Sequence, residues 1–282
     1  MKTNRILSKD KVLSSPISSS EAFSYTTRIT QVIQYDGYDF SLTIIKPFCG
    51  NQEKYNLPVF LFVPSIYNTA GCFISTMEIA SQLVITSGQA AVILNNEATA
   101  NSEAPIFELF AAMKWIRRHG DQTGMNGNKM AIVGSEFGAN IAAILSLMTL
   151  DDDCPKISLQ ILIDPLFFIS RQLPVYRQMH CNSETNRMEQ DWLNMKSIYD
   201  LPLDPKITDL SGSPPTLVQL SKSSVSNCEL DYYCVRLMDA GTDVTYINHD
   251  HDDNNEISGK SSALQLNKTL IARTAAELRK FG

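Results

Sequence analysis

Apolar and polar positions change period along this chain, and the changes divide it into alternating strands and helices. Thr27–Ile33 and Phe40–Pro47 alternate residue by residue around Asp36-Gly37. Two such runs flanking an Asp-Gly pair predict an antiparallel hairpin, because that pair accepts the positive φ of a tight turn. Leu57–Val63 (L-P-V-F-L-F-V) is a near-continuous apolar run, as expected of a parallel strand buried on both faces. Ile74–Thr86 has helical spacing, and Gln89–Leu94 reads as the next strand. Ile106–Gly120 predicts a helix with an apolar face, a basic last turn and a glycine stop. Met130–Val133 reads as a strand, Ala139–Leu150 as a helix, Leu159–Ile163 as a strand ending at Asp164-Pro165, and Thr216–Leu220 as a strand. Asn227–Ala240 predicts a helix stopped by Gly241, Val244–Ile247 the last strand, and Ser261–Phe281 a long terminal helix.

Strands that alternate with helices, without an internal repeat, predict an α/β fold with a doubly wound, mostly parallel sheet. The segment Phe167–Asp209 breaks the alternation: it is polar and carries Phe167, Phe168, Tyr176, Trp192 and Tyr199. It is expected to be a short, irregular, cap-like insertion over the carboxyl edge of the sheet. Residues 1–24 are polar and serine-rich and are expected to form a flexible arm, leaving residues 25–282 as one domain.

The 282 residues suffice for one α/β domain with a sizeable core. A net charge of −6 argues against a nucleic-acid partner, which needs a basic face. No run of about 20 apolar residues is present to span a membrane, and Met1–Glu21 has no apolar secretory core, so a cytoplasmic protein is expected. The six cysteines are scattered without a C-x-x-C pair, which fits reduced, packed thiols.

The chemistry concentrates in Met130–Ala142 (M-A-I-V-G-S-E-F-G-A-N-I-A). An apolar strand runs into a Gly-x-x-x-Gly turn and then an alanine-rich helix, the context of a nucleophile elbow. Gly134 and Gly138 allow close backbone approach, and the residue midway is Glu136. Met113–Ala142, Trp192–Gln219 and Asp231–Thr245 together resemble the hormone-sensitive-lipase and acetyl-esterase branch of the α/β-hydrolases, over about Tyr25 to Phe281. That resemblance implies the α/β-hydrolase fold and places the family's serine nucleophile on Glu136. It places the H-G-G-G oxyanion loop on Pro64-Ser65-Ile66-Tyr67, the acid near Ser224, and the histidine within Asn248–Glu256 (N-H-D-H-D-D-N-N-E), where His249 and His251 are available. The family's Arg of a Y-R-x-A-P string falls at Glu97.

The reading that follows is of an α/β-hydrolase-fold enzyme without the Ser-His-Asp triad. Glu136 would act as general acid/base with His249 or His251 in a lyase, isomerase or cyclase-type reaction on a small, largely apolar substrate. The alternatives are a catalytically silent ligand-binding protein and a residual carboxylic-ester hydrolase using Ser135 or another nucleophile. Ser65, Tyr67, Asn68, Asn96 and Glu97, which follow strand ends, are expected to bind the substrate together with Ser135 and Phe137 of the elbow. The H-D-H-D-D string is read as an acidic, solvated loop, so neither metal nor cofactor is expected. The partner is a small molecule, and the resemblance implies a homodimer.

Overall fold

The computed structural model describes residues 24–48, 56–64, 71–95, 104–150, 154–167, 209–221, 228–249 and 268–282. All but Ser24 of the expected N-terminal arm, and nearly all of the expected cap, lie outside them. Eight strands form one sheet: β1 (Thr26–Tyr35), β2 (Tyr38–Pro47), β3 (Leu57–Val63), β4 (Ala90–Leu94), β5 (Met125–Ser135), β6 (Ile157–Ile163), β7 (Thr216–Leu220) and β8 (Val244–Asn248). Their order is β1-β2-β4-β3-β5-β6-β7-β8. Strands β1, β2 and β4 pair antiparallel, and β4 through β8 run parallel. This is the expected doubly wound α/β sheet.

The β1–β2 hairpin closes over Asp36 (φ 54°) and Gly37 (φ 81°), the two positive-φ residues that a two-residue loop requires. Five helices are described: α1 (Gly71–Ser87), α2 (Ala104–His119), α3 (Phe137–Met148), α4 (Cys228–Asp239) and α5 (Lys268–Phe281). Helices α2, α3 and α4 bury their apolar faces on one side of the sheet, with Ile132, Leu162 and Val218. Helices α1 and α5 cover the other side, with Val133, Ile161 and Leu217. Strands β3 and β7 are therefore buried along both faces, which is why β3 reads as a near-continuous apolar run, whereas β8 at the sheet edge stays partly exposed. No helix among the described residues is long and apolar enough to cross a membrane.

Two boundaries depart from the sequence reading. Strand β5 begins at Met125, five residues before the apolar run, because N-G-N-K imitates a turn. The extension is held by pairing with Leu57 and Pro58, with a register shift before Met130. Gly127 lets it lie against the end of α2: a Cβ there would come 2.3 Å from Ile116 O. Helix α3 begins at Phe137, two residues earlier than the pattern suggests, because one residue, Glu136, completes the reversal from strand to helix.

Candidate active site

The carboxyl edge of the sheet gathers the ends of β5, β6, β7 and β8. At its centre, β5 ends at Ser135, α3 starts at Phe137, and Glu136 stands alone between them. Its backbone has φ 52° and ψ −120°, a combination that costs a side-chain-bearing residue about 1–3 kcal/mol and persists only where the surroundings impose it.

Those surroundings are visible. A Cβ on Gly134 would lie 2.5 Å from both Ala139 Cα and Gly138 O, and one on Gly138 would lie 2.2 Å from Val63 O. Strand, turn and helix are therefore packed backbone against backbone, and the helix start rests on the end of β3. Main-chain bonds fix the turn from the other side. Glu136 N–H donates to Ile163 O (2.8 Å), and the Glu136 carbonyl accepts from Ala139 N–H and Leu166 N–H (3.1 Å each). The Glu136 side chain is half-buried. It lies at the positive N-terminal end of a twelve-residue helix, a position that favours negative charge.

The flanking residues are placed differently. Ser135 is 1% exposed, and its hydroxyl has no hydrogen-bond partner. Strand alternation sends it to the α1/α5 side with Ala131 and Val133, away from the elbow tip. Phe137 is fully buried in the core on the α2–α4 side, so it contributes packing there. Asn140, a buried polar residue that the sequence pattern did not single out, has no partner for either amide atom.

The Ser135 hydroxyl supports a direct prediction. Burying it unpaired costs free energy, so Ser135→Ala should leave the melting temperature unchanged or raise it, and should leave catalytic rates within about threefold of wild type. A large loss of activity at unchanged stability would assign Ser135 a chemical part that its burial denies.

Along the edge beyond the elbow, Asp164 follows β6 with φ 46°. Its N–H donates to Gln219 O (2.8 Å), and its Oδ1 accepts from Ser221 N–H (2.6 Å). His249 follows β8 and is half-buried, with Nε2 3.2 Å from Gln219 Oε1. Gln219 Nε2 in turn donates to Thr274 Oγ1 of α5 (2.8 Å). The backbones of Glu136 and His249 are thus three strand spacings apart, roughly 14 Å, and the imidazole turns back from β8 toward β7. Just past the end of β4, Asn95 Nδ2 donates to Ser41 Oγ (3.2 Å), and Thr43 Oγ1 donates to Asn95 Oδ1 (2.9 Å).

His251, Ser65, Tyr67, Asn68, Asn96 and Glu97 lie outside the described residues. His119 ends α2 with its ring against Tyr35 and Trp115, far along the chain from the elbow. Cys234 is buried, and burial, with a smaller contribution from Asp231, pushes its thiol up to about 12. It is therefore a packed, neutral group and no nucleophile.

Comparison with known proteins agrees with this geometry. A family model described as the alpha/beta hydrolase fold matches residues 98–253, a span that contains the elbow. A protein of Acanthamoeba polyphaga mimivirus named as an α/β hydrolase is 21% identical over 80% of this chain and 67% of its own length. An arylesterase of Saccharolobus solfataricus is 23% identical over 67% of this chain and 69% of its own. A crystal structure of a mutant of the esterase rPPE superposes with a TM-score of 0.72 at 25% identity, covering 96% of this chain and 86% of that one. Those relatives and structural neighbours whose names state an activity are esterases. That finding overturns the expectation of a lyase, isomerase or cyclase reaction. The family model covers more than half of the chain, so the chain belongs to the α/β-hydrolase fold family.

Proposed function

We propose that this chain hydrolyses small carboxylic esters, with the β5–α3 elbow as the reaction centre and Glu136 as the group presented to the ester. The observation that carries the reading is the backbone of Glu136: a strained, positive-φ carboxylate held at the carboxyl edge between two glycines that tolerate no side chain. The arylesterase among the relatives supports the choice of reaction.

In this reading the ester carbonyl lies above the elbow. The Glu136 carboxylate draws a water molecule toward the carbonyl carbon and takes its proton as the C–O bond forms. The N-terminal turn of α3 faces the negative charge that develops on the carbonyl oxygen. The acyl–oxygen bond then breaks, the acid remains, and the alkoxide leaves with the proton that Glu136 took from the water, which restores the carboxylate.

The test is release of p-nitrophenol from p-nitrophenyl acetate by wild type and by Glu136→Gln, which keeps the shape and removes the base. Wild type should turn over, and the variant should lose at least about 100-fold in kcat/KM with its melting temperature little changed. Full activity in Glu136→Gln, or covalent labelling of the chain by a fluorophosphonate, would transfer the chemistry to a serine and leave the activity standing. Absence of turnover by wild type across short-chain esters would overturn the activity itself.

A further inference from the structure

Beside the elbow, β6 leaves the regular sheet at Asp164. Up to that point the parallel ladder holds on both sides of the strand. Asp164 N–H donates to Gln219 O on β7 (2.8 Å), and Ile163 O accepts from Glu136 N–H (2.8 Å). The next rungs of such a ladder would send Ser221 N–H to the Asp164 carbonyl, and the N–H of residue 165 to the Glu136 carbonyl. Neither forms in that way. Residue 165 is a proline and has no N–H to give. Asp164 adopts φ 46°, which turns the chain out of the strand. Leu166 N–H then reaches the Glu136 carbonyl instead (3.1 Å). Ser221 N–H is met by Oδ1 of the Asp164 side chain, at 2.6 Å, a short, charge-assisted bond. The carboxylate thus stands in for the main-chain carbonyl that the turn has taken out of the ladder. Asp is suited to both tasks: it tolerates positive φ, and its short side chain reaches back to a nearby backbone N–H.

We infer that Asp164 is a positioning residue for Glu136. Both main-chain groups of Glu136 are gripped by the chain on either side of Asp164, the N–H by Ile163 and the carbonyl by Leu166. That grip is only as firm as the turn Asp164-Pro165-Leu166, and the turn is tied to β7 by two bonds, one from the Asp164 N–H and one to its carboxylate. With the second bond gone, the turn can pivot about the first, and the elbow tilts with it. A tilt misaligns the Glu136 carboxylate with the water that it deprotonates, which costs rate in that step and leaves substrate affinity nearly untouched. Asp164 touches neither water nor ester in this role; it acts through the backbone of the elbow. The effect on rate rests on Glu136 as the base of ester hydrolysis, whereas the anchor itself does not.

The experiment compares three variants at Asp164, by p-nitrophenyl acetate kinetics and by amide hydrogen exchange of the full chain. Asp164→Gly reaches positive φ without strain, so it removes the acceptor alone. Asp164→Asn keeps an oxygen acceptor and tolerates the same φ. Asp164→Ala loses the acceptor and strains the turn. Asp164→Gly should lower kcat about 10-fold or more, with KM within about twofold of wild type. The amides of Glu136, Leu166 and Ser221 should exchange faster in it, while that of Ile132 in mid-strand stays protected. Asp164→Ala should lose at least as much rate, and Asp164→Asn should return both rate and protection to near wild type. Should the glycine and alanine variants fold poorly, exchange of wild type across a denaturant series decides: the same three amides should open as one unit. Independent opening of Ser221, an unchanged kcat in Asp164→Gly, or a loss in Asp164→Asn as large as that in Asp164→Gly would overturn the inference while ester hydrolysis stands. Absence of hydrolysis by wild type would overturn the proposed function and with it the effect on rate; the exchange of the three amides would then uphold the anchor if joint and overturn it if independent.

Discussion

Gly138→Ala is expected to be among the most damaging single-methyl additions in the molecule. Its Cβ would lie 2.2 Å from Val63 O, 2.4 Å from Pro64 O and 2.7 Å from Pro64 C. All three are backbone atoms at the end of β3, a strand buried between β4 and β5, so no flexible side chain can swing aside. Helix α3 would have to retreat from the sheet by about an ångström. Along its length, Ala139, Ile141, Ala142, Ala143, Ile144 and Leu145 are buried, so the retreat opens their packing as well. Overpacking of this kind costs about 3 kcal/mol or more, which should lower the melting temperature by roughly 5–10 °C in a chain of this size. The same retreat moves Glu136, so hydrolysis should fall even at temperatures where the variant is folded. Thermal unfolding followed by circular dichroism checks the first part. A melting temperature within about 2 °C of wild type would mean that the helix does not press on β3 as described.

The same close packing explains why the elbow was legible in the sequence. Two glycines four apart, after an apolar run and before an alanine-rich segment, have few other physical uses. The buried strand β3 was equally legible, because Leu57–Val63 is apolar without alternation and ends at Pro64. The first five residues of β5 were not: N-G-N-K is turn-like, and what makes it a strand is the neighbouring chain at Leu57 and Pro58, distant in sequence. The buried polar residues were invisible for the same reason. Gln160 on β6 donates to Thr216 Oγ1 and to the hydroxyl of Tyr233, and burial pushes that phenol up. Gln219 is satisfied by Thr274 and His249. These partners lie 30 to 73 positions apart, beyond any local pattern. At the site, Glu136 is identifiable from the sequence as the residue of the elbow tip, but a carboxylate there is as compatible with lyase-type proton transfer as with hydrolysis. A side chain type constrains proton chemistry, not the bond that breaks, and here the relatives correct the reaction class. Ser135 and Phe137 were expected at the substrate because they adjoin Glu136. One sits on a strand of period two and the other opens a buried helix, and both are turned into the core.

Glu136→Gly should separate what the backbone of the elbow needs from what its chemistry needs. At φ 52° and ψ −120° a side chain is strained, whereas glycine reaches that region freely. The comparison that isolates the strain is with Glu136→Ala, since both variants lose the carboxylate and its contacts and only the alanine keeps a Cβ. Relief of the strain is worth about 1–3 kcal/mol, and the extra entropy of an unfolded glycine takes back up to about 1 kcal/mol. The glycine variant should therefore unfold at higher denaturant concentration than the alanine variant, by about 1–2 kcal/mol in free energy. Both should lose ester hydrolysis by at least about 100-fold, because neither can take a proton from water. Equal stability of the two variants would mean that the turn is not strained. Retained hydrolysis in either would mean that the carboxylate is not the reacting group. If both expectations hold, the fold maintains an unfavourable backbone at Glu136 for a carboxylate that it needs only for turnover, a stability cost that follows from its chemical role.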